Sequence, residues 1–176
     1  LVTRLVVVYI VDACVVWSVF VLDTTSSMGV YIALTQLVLQ NTVRRIAGTE
    51  IGELVNFGIV GFRDNPEAVP GLEYRTKMLI DLERREDETP VIDALVEATN
   101  VTIVSSPGFN EDSYACVEDA IDLIDWDQLK TDPENPIYAR YVILVTDAGP
   151  KDARDPNARS AIGPTELQAE AEERNI

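Results

Sequence analysis

The apolar run Val15-Val16-Trp17-Ser18-Val19-Phe20-Val21-Leu22 stops abruptly at Asp23-Thr24-Thr25-Ser26-Ser27. The run is short, β-branched and aromatic, which predicts a buried strand. Its polar stop falls at the strand's carboxyl end, where a parallel α/β sheet places its ligands. From Asp23 to Ser27 the stop offers one carboxylate and four hydroxyls, and no thiol or imidazole. Oxygen donors of this kind suit Mg²⁺ or Ca²⁺ rather than a soft metal. In Asp23-x-Thr25-x-Ser27 every second residue carries an oxygen, and alternate residues of an extended segment point the same way. All three can therefore converge on one ion. The same residues also suit an ordinary strand-to-helix turn, with Ser26 or Ser27 capping the helix that follows.

A second buried strand, Tyr141-Val142-Ile143-Leu144-Val145, runs into Thr146-Asp147-Ala148-Gly149, again with an acid at the strand end. Asp147 can join the first cluster or cap a turn. Asn56 to Asp64 predicts a further strand, followed by Pro66, Pro70 and Gly71 as loop punctuation, and Tyr74 to Leu82 predicts another. Met28 to Ile46 has helical spacing, with Met28, Ile32, Leu39, Val43 and Ile46 near one face. Gly48 stands where a helix stop belongs. Ser113 to Ile124 and Pro164 to Arg174 predict two more helices, the latter with Thr165 available as its cap. Strands joined by helices in this order predict an α/β fold with a mostly parallel central sheet flanked by helices and one antiparallel partner strand. Trp17, Trp126 and Cys116 read as packing residues, and Met28 as a core anchor beneath the Asp23 loop.

Two strand-end acids in this order, the first within Asp-x-Thr-x-Ser, make the chain resemble the von Willebrand factor A (VWA) family. That family's metal-ion-dependent adhesion site (MIDAS) carries Asp-x-Ser/Thr-x-Ser at the end of the first core strand and a Thr-Asp step at a later one. The resemblance implies a Rossmann-like VWA fold and a protein-binding module rather than an enzyme. It implies that Asp23, Thr25, Ser27 and Asp147 hold Mg²⁺, with Mn²⁺ or Ca²⁺ as alternatives. The open coordination position would then take an acidic residue of a partner protein. In the integrin-type pattern a second loop supplies a Thr before a helix. Here Asp112, just before the 113–124 helix, competes with Thr89, just before Pro90-Val91-Ile92-Asp93-Ala94-Leu95, and Asp112 is preferred. An Asp in that place makes the site more anionic, which favours metal retention and weakens the pull on an acidic partner. Asp64 is a further candidate ligand, with pairing to Arg63 or capping of its loop as the alternative.

Five segments narrow the resemblance: Gly61-Phe62-Arg63-Asp64, Pro70-Gly71-Leu72-Glu73-Tyr74, Phe109-Asn110-Glu111-Asp112, Asp125-Trp126 and Val145-Thr146-Asp147-Ala148. Together they look like the VWA domains at the carboxyl end of serine/threonine kinases associated with bacterial type VI secretion, over residues 15–176. That likeness implies a regulatory or sensing domain, with any kinase activity outside these residues. It also implies a place in the bacterial cytoplasm or on the periplasmic side of a membrane-anchored protein.

Composition removes other classes. The net charge is −16, from 30 acidic and 14 basic residues, so nucleic acid is not an expected partner: no basic patch exists to neutralise phosphates. The acid concentrates from Asp81 to Glu88 and from Glu111 to Asp132, which reads as solvated faces, with docking of a basic partner as the sharper alternative. There is no histidine, which removes Ser-His-Asp and Cys-His triads and histidine-ligated zinc. Cys14 and Cys116 lack a metal spacing and define no disulfide framework. A different functional class is aspartyl-phosphate transfer of the haloacid-dehalogenase-like kind, whose Asp-Lys-Thr-Gly-Thr superficially matches Asp23 to Ser27. Thr24 stands where its Lys belongs, Thr25 where the phosphatases want a second Asp, and Val145 to Ala148 makes a poor acidic loop. No glycine-rich phosphate loop is present. A degenerate VWA scaffold that binds partners without metal is the blandest alternative.

The two ends carry expectations of their own. Leu1 to Leu22 is almost wholly apolar and long enough to cross a bilayer, although Arg4 and Asp12 are costly there. Residues 1–14 read as an apolar extension, either an extra strand over Leu5 to Val11 or the remnant of a membrane span, and residues 15–176 as the VWA domain. Membrane association is expected only through the N-terminus or residues outside the chain. No signal-peptide n-region or cleavage site is visible. In the family the 164–174 helix delivers the chain into another strand. The domain is therefore expected to be truncated at its C-terminus, lacking its last strand or strands and exposing a sheet edge.

Overall fold

A computed structural model describes residues 15–49, 52–82, 93, 96, 108, 110–126, 137–151, 154–159 and 162–176. The expected N-terminal extension, Cys14 and Thr89 lie outside the described residues. The elements are β1 (Val15–Asp23), a 3-10 turn (Ser26–Val30), α1 (Ile32–Ala47), a short 3-10 segment (Gly52–Leu54), β2 (Val55–Phe62), β3 (Thr76–Ile80), β4 (Asn110–Glu111), α2 (Ser113–Leu123), β5 (Ile137–Val145), β6 (Gly149–Pro150) and α3 (Pro164–Glu173). The main sheet has the order β3-β2-β1-β5, and β4 pairs with β6 in a small second sheet. β1 runs parallel to both β2 and β5, while β3 is antiparallel to β2. This is the expected α/β class, with its mostly parallel sheet and single antiparallel partner.

β1 is central and apolar on both faces, so its alternation decides which helix covers which side. Trp17, Val19 and Val21 pack with Val60 and Phe62 of β2 and with Cys116 and Ala120 of α2. Phe20 and Leu22 turn the other way and pack with Phe57, Ile59 and the α1 residues Leu39 and Val43. The parallel register, Phe20 beside Ile59 and Val21 beside Val60, brings like faces together. Each large side chain fully buried this way contributes roughly 1.5–3 kcal/mol. Trp126 closes the α2 side: its ring centroid lies 6.3 Å from that of Trp17, and its indole N–H donates to the Ile121 carbonyl at 2.9 Å.

Several boundaries differ from the sequence expectation. The helix expected from Met28 begins as a 3-10 turn and becomes α-helical only at Ile32, after Tyr31. Gly29 and β-branched Val30 are poor formers at that point. Met28 is buried all the same. β3 starts at Thr76, because Tyr74 leaves the ladder and meets the Thr24 hydroxyl at 2.9 Å. Gly163, not Thr165, is the cap of α3, with Pro164 at the first helical position and the Gly163 N–H donating to Glu166 Oε2 at 3.1 Å. The acids of α2 are not simply solvated. Glu118 and Asp119 pair with Arg159, Asp119 also with Arg75, and Asp122 with Arg174.

β5 ends the described strand order, and its Tyr141, Ile143 and Leu144 are partly exposed. Among the described residues no helix is long and apolar enough to cross a membrane.

Candidate metal centre

β1 and β5 end side by side. Leu22 is in register with Val145, which puts Asp23 beside Thr146 at the carboxyl edge of the sheet. The chain leaves β1 through Thr24, whose N–H and hydroxyl both donate to the Phe62 carbonyl, at 2.8 and 2.9 Å. Thr25 is still extended, at φ −74° and ψ 166°, and the 3-10 turn begins at Ser26. The alternation expected of Asp23-x-Thr25 is therefore kept, and the turn then brings Ser27 back towards the same point.

The side chains form one connected set. The Thr25 N–H and hydroxyl both donate to Asp23 Oδ1, at 2.9 and 2.6 Å. Thr25 Oγ lies 3.0 Å from Ser27 Oγ, and the Ser27 hydroxyl donates to Asp147 Oδ1 at 3.1 Å. The Thr146 hydroxyl donates to Asp23 Oδ2 at 2.7 Å and accepts the Ala148 N–H at 3.1 Å. Asp23 is fully buried, whereas Ser27 and Asp147 are exposed, so the cluster opens from the sheet edge to solvent.

Proton accounting shows what this set lacks. Four oxygen–oxygen contacts (Thr25–Asp23, Thr25–Ser27, Ser27–Asp147 and Thr146–Asp23) share three hydroxyl protons. With both carboxylates ionised, one contact has no proton between its oxygens. The contact left without one is Thr25–Ser27, at the exposed end of the cluster, where water or a cation can serve both oxygens. Asp23 is the buried acid of the set. Burial pushes its carboxyl above the usual value, the Thr25 and Thr146 hydrogen bonds oppose this, and the nearby Asp147 charge adds to the rise. The oxygen-only donor set fits a hard divalent ion. Among the described residues there is no group of three or more His, Cys, Asp or Glu placed to hold a metal. The other oxygens of the cluster are the hydroxyls of Thr25, Ser27 and Thr146.

The structure brings Asp23, Thr25, Ser27 and Asp147 together, and among the described residues it gives Asp64 and Asp112 other hydrogen-bond partners. Asp112 precedes α2 and is buried, and its Oδ2 accepts the Arg159 N–H at 2.9 Å. Burial raises its carboxyl; the Arg159 hydrogen bond and the Lys151 charge lower it, and the Asp64 charge raises it again. Asp112 follows Glu111, whose carbonyl accepts the Lys151 N–H at 2.8 Å. Asp64 is paired with the Lys151 ammonium through both carboxylate oxygens. Arg63, the alternative partner for Asp64, instead reaches Glu73 at 3.1 Å and stacks its guanidinium 4.3 Å from the Tyr74 ring centroid. Thr146 is the member that sequence reasoning missed. Its signal was the hydroxyl directly before Asp147, but only the register of β1 with β5 aims it at Asp23.

No family model matches the chain, and no curated protein matches it. Solved structures do. The pilus adhesin SpaC of Lactobacillus rhamnosus GG, in its open conformation, is similar over 79% of this chain and 15% of its own, at 18% identity and a TM-score of 0.55. Proximal thread matrix protein 1 (PTMP1) of the mussel byssus, in its second crystal form, is similar over 95% of this chain and 35% of its own, at 17% identity and a TM-score of 0.51. A structure of PTMP1 with a zinc-occupied MIDAS motif is similar over 78% of this chain and 30% of its own, at 20% identity and a TM-score of 0.48. The chain spans well under two thirds of the length of each. At these identities the likeness is one of fold alone, a Rossmann-like α/β fold with a mostly parallel central sheet.

Proposed function

We propose that the chain is a metal-dependent protein-binding module. Asp23, Thr25, Ser27 and Asp147, with Thr146 bracing Asp23, would hold a divalent cation, Mg²⁺ first and Mn²⁺ or Ca²⁺ next. The observation that carries this reading is the convergence of Asp23, Thr25, Ser27 and Asp147 into one oxygen-only cluster that opens to solvent at Ser27 and Asp147. A cation there would offset the carboxylates of Asp23 and Asp147 and polarise what binds at the exposed side. Two of the four expected ligands are neutral hydroxyls, so a bound divalent ion keeps affinity for an acidic residue of a partner. The reading is one of binding, not catalysis. The type VI kinase-like segments support a regulatory or sensing role beside a kinase outside these residues.

The test is capture on immobilised peptides that present Asp or Glu, against the same peptides with Asn or Gln. Capture in Mg²⁺ that EDTA reverses, and that the amide peptides lack, is expected. Capture indifferent to EDTA would favour the metal-free scaffold.

A further inference from the structure

Beside the Asp23 cluster lies a second set of charges that the proposed function does not use. Lys151 follows β6, and its side chain is 1% exposed; that of Asp64, beyond the end of β2, is 0% exposed. An ammonium taken this far out of water needs a close anion to offset the cost of its burial. Both oxygens of Asp64 meet the ammonium. A second buried carboxylate, Asp112, directly follows Glu111, whose carbonyl the Lys151 backbone meets, and it feels the Lys151 charge. The backbone is held at the same place: the Lys151 N–H donates to the Glu111 carbonyl at 2.8 Å, continuing the pairing of Asn110 with Gly149 and Glu111 with Pro150. Lys151 thus gathers the chain just after β2, the start of α2 and the segment after β5. The last of these carries Asp147.

We propose that Lys151 supplies the resident cation of a second carboxylate-lined site, formed by Asp64 and Asp112, and that this tethered ammonium positions the Asp147 loop. Hard carboxylates converging in a buried place are what a divalent ion takes. Here the chain provides the charge itself, so this second site needs no metal. Lys151 acts as a positioning residue, because it meets Asp64 and not the Asp23 cluster. Only the part of the proposal that concerns Asp147 rests on the metal-binding reading above.

The test uses Lys151→Ala, Lys151→Met and the double variant Asp64→Asn/Lys151→Met, melted in EDTA. Loss of one partner of a buried pair should lower the melting temperature of each single variant by about 6–20 °C. The double variant removes both charges and should recover most of that loss. Ethylammonium chloride should raise the melting temperature of Lys151→Ala more than sodium chloride at equal concentration, and should do so for neither the wild type nor the double variant. If Lys151→Ala fails to fold, the comparison of Lys151→Met with the double variant decides. A double variant as unstable as Lys151→Met would make Lys151 a packing residue and overturn the proposal, as would the absence of amine rescue in a folded Lys151→Ala. These arms need no metal and remain decisive if the metal reading fails. Where the wild type binds Mg²⁺, Lys151→Met should bind it about tenfold or more weakly, the usual effect of losing a support behind a ligand; unchanged affinity would remove the positioning role.

Discussion

Asp23→Asn should stabilise the metal-free protein while abolishing its metal binding. Asp23 is fully buried, and burying an unpaired carboxylate costs several kcal/mol. Against that stand three donors, the Thr25 N–H, the Thr25 hydroxyl and the Thr146 hydroxyl. Each bond weakens by about 1 kcal/mol when its acceptor loses the charge, for a total near 3 kcal/mol. An asparagine oxygen can keep both Thr25 bonds, and its amide can donate to Thr146 Oγ. The net gain is then about 1–3 kcal/mol, or roughly 2–12 °C in melting temperature for a chain of this size. The assay is thermal unfolding by circular dichroism in EDTA and again in excess Mg²⁺. In EDTA the variant should melt above the wild type. In Mg²⁺ the wild type should rise, by about 2.7 kcal/mol at a hundredfold excess over its dissociation constant, and the variant should not move. The carboxyl is raised in the folded state, so its destabilising effect appears as pH rises above the unfolded value of 3.8 and is absent below it. The variant's advantage should therefore shrink in acid. An Asp23→Asn protein less stable than wild type in EDTA would refute this reasoning, and so would one that keeps the Mg²⁺ shift.

Asp119 should limit stability in acid. Burial pushes its carboxyl up, but hydrogen bonds from Thr76, Arg159 and Arg75 outweigh this and leave it below 3.8. Its stabilisation is present above the unfolded value and is lost as pH falls through the lower folded one. Urea unfolding from neutral to acid pH should show Asp119→Asn about 1–3 kcal/mol less stable at neutral pH and less sensitive to acid. Cys116 should be inert in the folded protein, because burial pushes its thiol far above the usual range. Alkylation followed by peptide mapping, which scores Cys14 separately, should label Cys116 only as fast as the protein unfolds.

The parts of the site that the sequence revealed are those built by local periodicity. A β-branched run ending in Asp23-x-Thr25-x-Ser27 needs only an extended Thr25 to align its oxygens, and Thr25 is extended. Asp147 was legible because it too ends an apolar strand, and two parallel strands in register bring their ends together. The fate of Asp64 was not legible. Its partner Lys151 lies 87 residues away, and nothing near either residue encodes the pairing. Asp112 stands directly before a helix, as a ligand loop would have it. Its carboxylate nevertheless accepts the Arg159 N–H, 47 residues later, and is influenced by the Lys151 charge. The start of α1 was misplaced because apolar spacing runs through Met28 without registering that the backbone there is a 3-10 turn. The acids of α2 read as a solvated face because their arginine partners, Arg75, Arg159 and Arg174, come from three separate segments.

The most direct measurement is a calorimetric titration of the wild type and Asp23→Ala with Mg²⁺ and Mn²⁺, each sample first shown to be folded. Saturable binding by the wild type that disappears in Asp23→Ala is the expected result. A folded wild type that binds neither ion, or an Asp23→Ala protein that binds them as the wild type does, would contradict the metal-dependent reading of the site.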